Sequence, residues 1–596
     1  KAIWGLFLAI LIFLVAVFVF IPLGQFLGNL FNKSKNTILL YTLNIIASLI
    51  GMWSFHLWSW LKLSPLIGIV ICQFTLFILV KNKSARFLFT FILLSAVSIT
   101  NLTSDTSFRD SVKTFWSPYQ KLTLIEKRQK EDKFTLEPNG YVLNVNNVGY
   151  MGLYDLKPSA LKENKKLLME NTGLDNEKID YLNQYSLPYK FKKNITDVLI
   201  IGGGGGNDTA AALRENIPNI DVVEIDPLII DIGKKYHPEK PYSDKKVNIY
   251  INDGRAFFES ATKKYDLIIM SLADSHTLSS NLTNLRLDHY LYTLESFQKT
   301  KELLKDDGIL FVTFEVIKPW IGQRLNQTIQ TVYGLPPLTF MVRSNMLFGW
   351  GGFVFVTSKN QDVLNSSLAE DKFLSEFVSA LRVDFKNEKI NLLTDNWPYV
   401  YLDKPRLPLL HVLFALIILS LLFTFKDKLF KTKINWQFLF LGAGFLLYEF
   451  QNISKSSLLF GATWQTNLYI ISGIMAFILM ANLAVYYKFI NYKYGFIFLF
   501  ISLFVQFILP LNLFNSLSGI SKTLLAVIFL NLPHFFSGVI FIDLFAKSKN
   551  KASAFGSNIL GSALGGFMEV FSFLFGIKSL IILVLVFYWL GFKIKK

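Results

Sequence analysis

At 596 residues, 52% apolar and 15% aromatic, the chain is too long for one compact domain and too apolar for an ordinary soluble one. The formal charge of +17 is unevenly spread: residues 1–100 and 407–596 together hold 22 Lys and Arg against four acids, whereas residues 101–406 hold 38 against 39. The basic surplus therefore lies between apolar runs, which argues against a nucleic-acid partner, and the single cysteine, Cys72, excludes intrachain disulfides and a cysteine-based metal site.

The first hundred residues contain no Asp or Glu and offer four candidate spans, at 3–22, 37–58, 65–80 and 87–99. Each is near the length that crosses about 30 Å of hydrocarbon, although the last is short, and the first lacks a small-residue cleavage pattern, so it reads as an anchor. From 101 the composition turns globular, and 117–124, 134–136 and 141–146 read as short strands of a small β-rich lead-in. Six apolar runs, 198–201, 222–225, 247–251, 267–270, 309–314 and 352–357, then alternate with helical stretches, the pattern of a mostly parallel sheet covered by helices. About seven further candidate spans begin near 407, 436, 466, 494, 523, 552 and 580. Gly556, Gly561, Ser562, Gly565 and Gly566 put small residues at helical spacing, the usual device for close helix packing in a membrane. The expected organisation is a transmembrane block of about four helices at 1–100, a β-rich lead-in at 101–190, a Rossmann-like domain at 191–406 and a transmembrane block of about seven helices at 407–596.

The middle of the chain is organised around DVLIIGGGGGNDTAAALRENIPNIDVVEID, residues 197–226. Five glycines join an apolar run to a helix-like stretch, and Glu224 ends the next apolar run eighteen positions after the last of them. A turn without Cβ atoms lets backbone amides approach a ligand, and a carboxylate at that strand end can accept both hydroxyls of a ribose, so the pocket suits an adenosine-type molecule. A standard NAD fingerprint fits poorly, because the sixth place from Gly202 is Asn207. The third apolar run leads into NDGRAFF, residues 252–258, where Asp253 can accept the exocyclic amine of adenine. The fourth leads into SLADSHT, residues 271–277; a loop at the carboxyl end of a parallel strand faces the ligand crevice, which makes Asp274 and His276 the acid and base candidates.

Taken in order, these stretches resemble the spermidine synthase family. SPYQKL at 117–122 is similar to its lead-in strand, VLIIGGGGG to its glycine turn, VVEIDP at 222–227 to its ribose-binding strand end, NDGRAFF to its adenine segment, and YDLIIM with LYTLESF at 291–297 to the strand and helix that follow. GAGFLLYEFQNI at 442–453 and LLFGATW at 458–464 further resemble a multi-pass membrane branch of that family. The resemblance implies an α/β Rossmann-like, class I methyltransferase-like domain with a small N-terminal β-domain, inserted between two all-α transmembrane blocks. It also implies an S-adenosylmethionine-type donor, held by Gln120, Gly202, Gly203, Gly204, Gly205, Gly206, Asn207, Asp208, Glu224, Asp253 and Gly254.

Two departures bear on the reaction. Aminopropyl-transferring members read GGGDGG, with the acid engaging the donor's amine, and Gly205 stands at that place; their catalytic loop begins with an Asp, and Ser271 stands there, leaving Asp274 to match the loop's second Asp. Intact S-adenosylmethionine carries a carboxylate that an acid at 205 would repel by roughly a few kcal/mol in a partly buried site. Its absence points to intact S-adenosylmethionine and methyl transfer to a membrane-associated acceptor, with Asp208 or Asn207 meeting the donor's amine and His276 taking the acceptor's proton. The alternatives are aminopropyl transfer from decarboxylated S-adenosylmethionine to a polyamine and, in another class, a transporter or sensor whose domain binds a nucleoside without turnover. The expected partners are a small-molecule donor, that acceptor and the lipid bilayer, with no metal and no nucleic acid; the oligomeric state is open. If the spans alternate, 17 Lys and Arg lie on the face opposite the middle domain and nine on its own, so a bacterial inner-membrane protein would lean towards an extracytoplasmic domain, although such donors are made in the cytosol.

Overall fold

The computed structural model describes residues 2–79, 112–127, 140–161, 166, 169, 183–273, 285–342, 349–385, 390–424, 433–517 and 519–594. The candidate span at 87–99 and the strand at 134–136 lie outside the described residues.

Three helices open the chain, α1 (Ala2–Lys33), α2 (Thr37–Trp60) and α3 (Pro65–Leu79). An antiparallel sheet follows in simple up-and-down order, β1 (Val112–Trp116), β2 (Lys121–Lys127), β3 (Gly140–Val145) and β4 (Val148–Tyr154). Residues 117–124 are therefore not one strand: the Ser117 hydroxyl accepts the amides of Tyr119 and Gln120, at 3.1 and 3.0 Å, and folds 117–120 into the β1–β2 turn. Such a turn is what a serine ahead of a proline favours.

The seven-stranded sheet comprises β5 (Asp197–Ile201), β6 (Asn219–Glu224), β7 (Val247–Ile251), β8 (Tyr265–Ser271), β9 (Leu304–Phe314), β10 (Leu338–Val342) and β11 (Gly352–Ser358), in the order β10-β11-β9-β8-β5-β6-β7. β5 through β9 pair in parallel; β11 is antiparallel to β9 and β10 to β11. All six expected apolar runs are strands, and β10, at the sheet edge, is an addition. Alternation along β5 sends Val198 and Ile200 into the core on one face and Leu199 and Ile201 into the core on the other, the two-residue period of a sheet buried on both sides. Covering helices include α4 (Asn207–Arg214), α5 (Pro227–Tyr236), α6 (Gly254–Ser260), α7 (Leu294–Leu303), α8 (Pro319–Tyr333), α9 (Gln361–Glu370) and α10 (Lys372–Ala380). Order reverses at β5, between β6 and β8, which opens a crevice beyond the carboxyl ends of these strands.

The last third is helical: α11 (Leu409–Thr424), α12 (Trp436–Phe460), α13 (Trp464–Tyr486), α14 (Tyr492–Ile508), α15 (Gly519–Lys547), α16 (Lys551–Met568), the single turn α17 (Ser572–Phe575) and α18 (Leu580–Lys593). Among the described residues, four helical stretches are long and apolar enough to cross a membrane, Thr37–Trp60, Trp464–Tyr486, Ile520–Lys547 and Lys551–Phe575. The small residues of α16 let it lie against α12: a Cβ at Gly561 or Gly565 would fall 1.8 Å from the Leu439 carbonyl oxygen or 2.2 Å from that of Ala443.

The two parts share a core. Phe573 and Ile577 are buried in the same apolar cluster as Phe257, Leu291 and Trp397 of the sheet domain. The Trp397 indole donates to the Phe573 carbonyl at 2.9 Å, and Asn396 accepts the amides of Ile577 and Lys578, each at 2.8 Å.

Candidate active site

The crevice at the switch point is lined by the glycine turn, Gln120, Glu224, Asp253, Gly254 and Ser271, so strands β5, β6, β7 and β8 each deliver a strand-end residue to one cleft. The turn is tied to the next strand by the Glu224 carboxylate, which accepts the Gly204 amide at 2.9 Å and the Asp226 amide at 3.0 Å. Burial pushes the Glu224 carboxyl up to about 7 despite those donors. Asp226 is the N-cap of α5, accepting the Leu228 amide at 3.0 Å, and its other oxygen accepts the Gln120 side-chain amide at 3.3 Å. Gln120 is thus positioned at the cleft wall through the helix cap.

Asn207 and Asp208 are neighbours at the start of α4 with different surroundings. The Asn207 side chain is fully engaged: its oxygen accepts the Tyr154 amide at 3.1 Å and faces His237 Nε2 at 2.9 Å, and its nitrogen donates to the Gly152 carbonyl at 2.8 Å. His237 Nδ1 accepts the Glu239 amide at 3.0 Å, so the proton sits on Nε2, and burial holds the ring down at about 3, neutral throughout the physiological range. Asn207 therefore joins β4 to α4. Asp208 is buried and lines the cleft, as does Ser271, and its Oδ1 is enclosed without a hydrogen-bond partner among the described residues; burial pushes its carboxyl up to about 7.

Asp253 caps α6 by accepting the Ala256 amide at 2.9 Å, and the α12–α13 connection packs closely against it at Gly461. In the same connection the Trp464 amide donates to the Tyr119 hydroxyl at 3.4 Å, and the Trp464 ring stacks on His56 of α2 with centroids 4.5 Å apart. Residues 461–464 thus form a roof behind Asp253 and Tyr119, two lining residues of the cleft, that comes from the helical block and that nothing in 252–258 announces. Gly461 has φ 85°, and a Cβ there would lie 2.7 Å from Asp253 Cβ. Substituting Gly461→Ala is expected to weaken adenosine-ligand binding by roughly tenfold, from a strained backbone and a displaced Asp253, while the melting temperature moves by only a few degrees. Unchanged affinity by calorimetry on the full chain would show that the roof is not part of the site.

Asp274 and His276 lie outside the described residues. One further lining acid completes the electrostatics: together with Asp208, Glu224 and Asp253, Asp288 makes four carboxylates, and no Lys, Arg or His is among the described residues that line the cleft. Asp288 had no signal in the sequence reading; its hydroxyl partner, Tyr401 at 2.8 Å, comes from 113 residues further on.

Against known proteins, residues 185–364 match the family described as spermine/spermidine synthase domain. The chain is 31% identical over 217 residues to a polyamine aminopropyltransferase of Pyrobaculum aerophilum, 34% of this chain and 70% of that protein. It is 35% identical over 127 residues to a polyamine aminopropyltransferase of Alkaliphilus oremlandii, where it spans 21% of this chain and 42% of the relative. Among solved structures it is similar to a spermidine synthase from Thermotoga maritima, with 20% identity, a TM-score of 0.30, and 47% of this chain and 81% of that one covered. The names of these relatives overturn the expectation of a methyltransferase using intact S-adenosylmethionine. That expectation weighed one missing acid at position 205, whereas the folded cleft collects acids from four separate segments. A match at 31% identity to the Pyrobaculum enzyme over 70% of its length, beside the family match of residues 185–364, places this chain in the spermidine synthase family.

Proposed function

We propose that the protein transfers an aminopropyl group from decarboxylated S-adenosylmethionine to a polyamine-type amine. The observation that carries this reading is the cleft's charge: four lining carboxylates and, among the described lining residues, no cationic side chain. Decarboxylated donor bears a sulfonium and an ammonium and no carboxylate, and a polyamine is a polycation, so both suit an anionic, partly desolvated wall. Among the described lining residues an intact methionine carboxylate would meet no cationic side chain.

In this reading Glu224 accepts the ribose hydroxyls, the glycine turn and Gly254 leave room for the nucleoside, and Asp253 under its roof sits at the adenine edge. The acceptor amine attacks the propyl carbon bonded to sulfur. The new carbon–nitrogen bond forms as the carbon–sulfur bond breaks, sulfur leaves as a neutral thioether, and the extra proton on nitrogen passes to a base. Asp274 and His276 are proposed for that proton on their sequence positions. The helical blocks would embed the chain in a bilayer, and the acceptor could then be free or membrane-associated. The excess of basic residues on the far side of the helices supports an extracytoplasmic domain.

The test is to incubate the purified full chain in detergent with an α,ω-diamine and each labelled donor in turn. Aminopropylated diamine and methylthioadenosine are expected from the decarboxylated donor alone. Methyl transfer from intact S-adenosylmethionine, with none from the decarboxylated form, would overturn the reading.

A further inference from the structure

Within the helical block α12 packs against α13, α15, α16 and α18, and it has two unlike halves. Residues 438–447 are all apolar, whereas polar residues dominate 448–457. The polar half is the one that meets the sheet domain, since the Tyr290 hydroxyl donates to the Ser454 carbonyl at 3.3 Å. Part of its polarity answers Pro533, inside α15. A proline has no N–H, which leaves the Phe529 carbonyl without its helical donor, and the Gln506 side-chain amide of α14 donates to it instead. The Leu530 carbonyl accepts the Tyr448 hydroxyl at 2.7 Å and Asn452 Nδ2 at 3.3 Å, and Asn452 Nδ2 also donates to Asn531 Oδ1 at 3.0 Å. Gln506, Tyr448 and Asn452 thus find their partners within the packed block.

Glu449, on the same stretch, has none. It is partly buried, so open space remains beside it, and it forms no hydrogen bond or ion pair among the described residues. The residues one turn before and after it, Phe445 and Ile453, pack into one apolar cluster with Ile45 of α2 and Ile470 and Ile474 of α13, so the carboxylate is directed into the bundle. No lysine or arginine is placed to balance it. α2 and α13 contain neither, and the two lysines of α15 stand near its ends, at 522 and 547. Lys455 is one turn after Gln451 on another face of α12, where the Gln451 amide donates to the Ile577 and Lys578 carbonyls at 3.0 and 3.2 Å. From α15 come Asn531, bonded to Asn452, and His534, whose ring packs on Phe445 and Tyr448 with centroids 5.2 and 4.7 Å apart. A carboxylate set among apolar helices without a counter-charge marks a place for a cation.

Resting on the reaction proposed above for the class of ligand, we infer that Glu449 forms a second amine site, inside the helical block: a protonated aliphatic amine, acceptor or product of that reaction, sits beside the carboxylate against the rings of Phe445 and Tyr448. The donor set favours an ammonium over a metal ion. A hard metal ion replaces its water shell with six or so oxygens, and the oxygens nearest in the fold, the Leu530 carbonyl and Asn531 Oδ1, already accept hydrogen bonds. Among the described residues no three His, Cys, Asp or Glu side chains come together to hold a metal. An ammonium needs only one carboxylate and an aromatic face. The site is distinct from the cleft, none of whose lining residues comes from α12.

The experiment is equilibrium dialysis of the full chain in detergent against labelled putrescine. Wild type is expected to hold one equivalent of diamine more than Glu449→Gln, and Glu449→Asp, which keeps the charge, to retain that equivalent. Phe445→Leu is expected to weaken the extra site by about threefold, through loss of a ring face. Donor affinity and the melting temperature without amine are expected to be the same in wild type and Glu449→Gln. Equal amounts of bound diamine in these two overturn the inference, and so does displacement of the extra equivalent by an equal concentration of sodium ions, which would mark a metal-ion site. A fall in donor affinity in Glu449→Gln would mean a structural role and overturns it as well. The two proposals fail separately: a cleft that takes no diamine leaves wild type with one equivalent and Glu449→Gln with none, whereas loss of the site at Glu449 alone leaves aminopropyl transfer intact.

Discussion

A polypeptide of residues 101–406 alone is expected to aggregate, or to melt well below the full chain, and to bind adenosine ligands poorly. The reason is that the sheet domain is completed by the helical block. Phe573 and Ile577 are 6% and 4% exposed inside the domain's own core cluster, and burying such side chains contributes about 1.5–3 kcal/mol each. Excision also strips the Trp397 indole and both acceptors of Asn396 of their partners, at about 1 kcal/mol net for each hydrogen bond. Losses of that size are comparable with the roughly 5–15 kcal/mol that holds a typical domain together. Removing 461–464 further takes away the backbone that packs against Asp253. Thermal melts and donor titrations of the excised and full chains check this. An excised domain that melts cooperatively at the full chain's temperature, with the same donor affinity, would reduce the helices to a tether.

The second large effect is on pH. Burial raises the carboxyls of Glu224 and Asp208 to about 7, and those of Asp226 and Asp253 above their usual range. A carboxyl whose folded value lies above its unfolded one stabilises the empty protein below the unfolded value, near 4, and that contribution is lost as pH rises through the folded value. The empty protein is therefore expected to melt lower at pH 8 than at pH 5.5. A dicationic donor favours the ionised carboxylates, so its affinity rises with pH and levels off above about 7, by up to roughly tenfold per pH unit for each carboxyl that must ionise. Glu224→Gln should then weaken the donor by about 10–100-fold at pH 8 and far less at pH 5.5, where the wild-type group is already protonated. A defect of equal size at both pH values would mean that the Glu224 charge does not contribute to binding.

Much of the fold was legible because its signals are local. The six apolar runs and the glycine turn depend on residues within a few positions of each other, and all six strands and the helix after the turn are present. The strand read at 117–124 begins only at Lys121, for an equally local reason: the Ser117 hydroxyl folds 117–120 into a turn. Non-local facts were hidden. Gly205 looked like a missing acid and therefore a different donor, but what matters to a cationic arm is the sum of carboxylates around the cleft, and Asp208, Asp253 and Asp288 arrive from different elements.

The sequence by itself determined the strand-turn-helix unit, the acidic end of β6 and the two apolar flanks, because each follows from periodicity and residue chemistry over short range. Only the tertiary structure decided that Leu153 shuts position 205, that Asn207 and Asp208 have different surroundings, and that a loop between two apolar helices packs against Asp253. These are matters of close packing and of charge summed through space, and both depend on residues that are far apart along the chain.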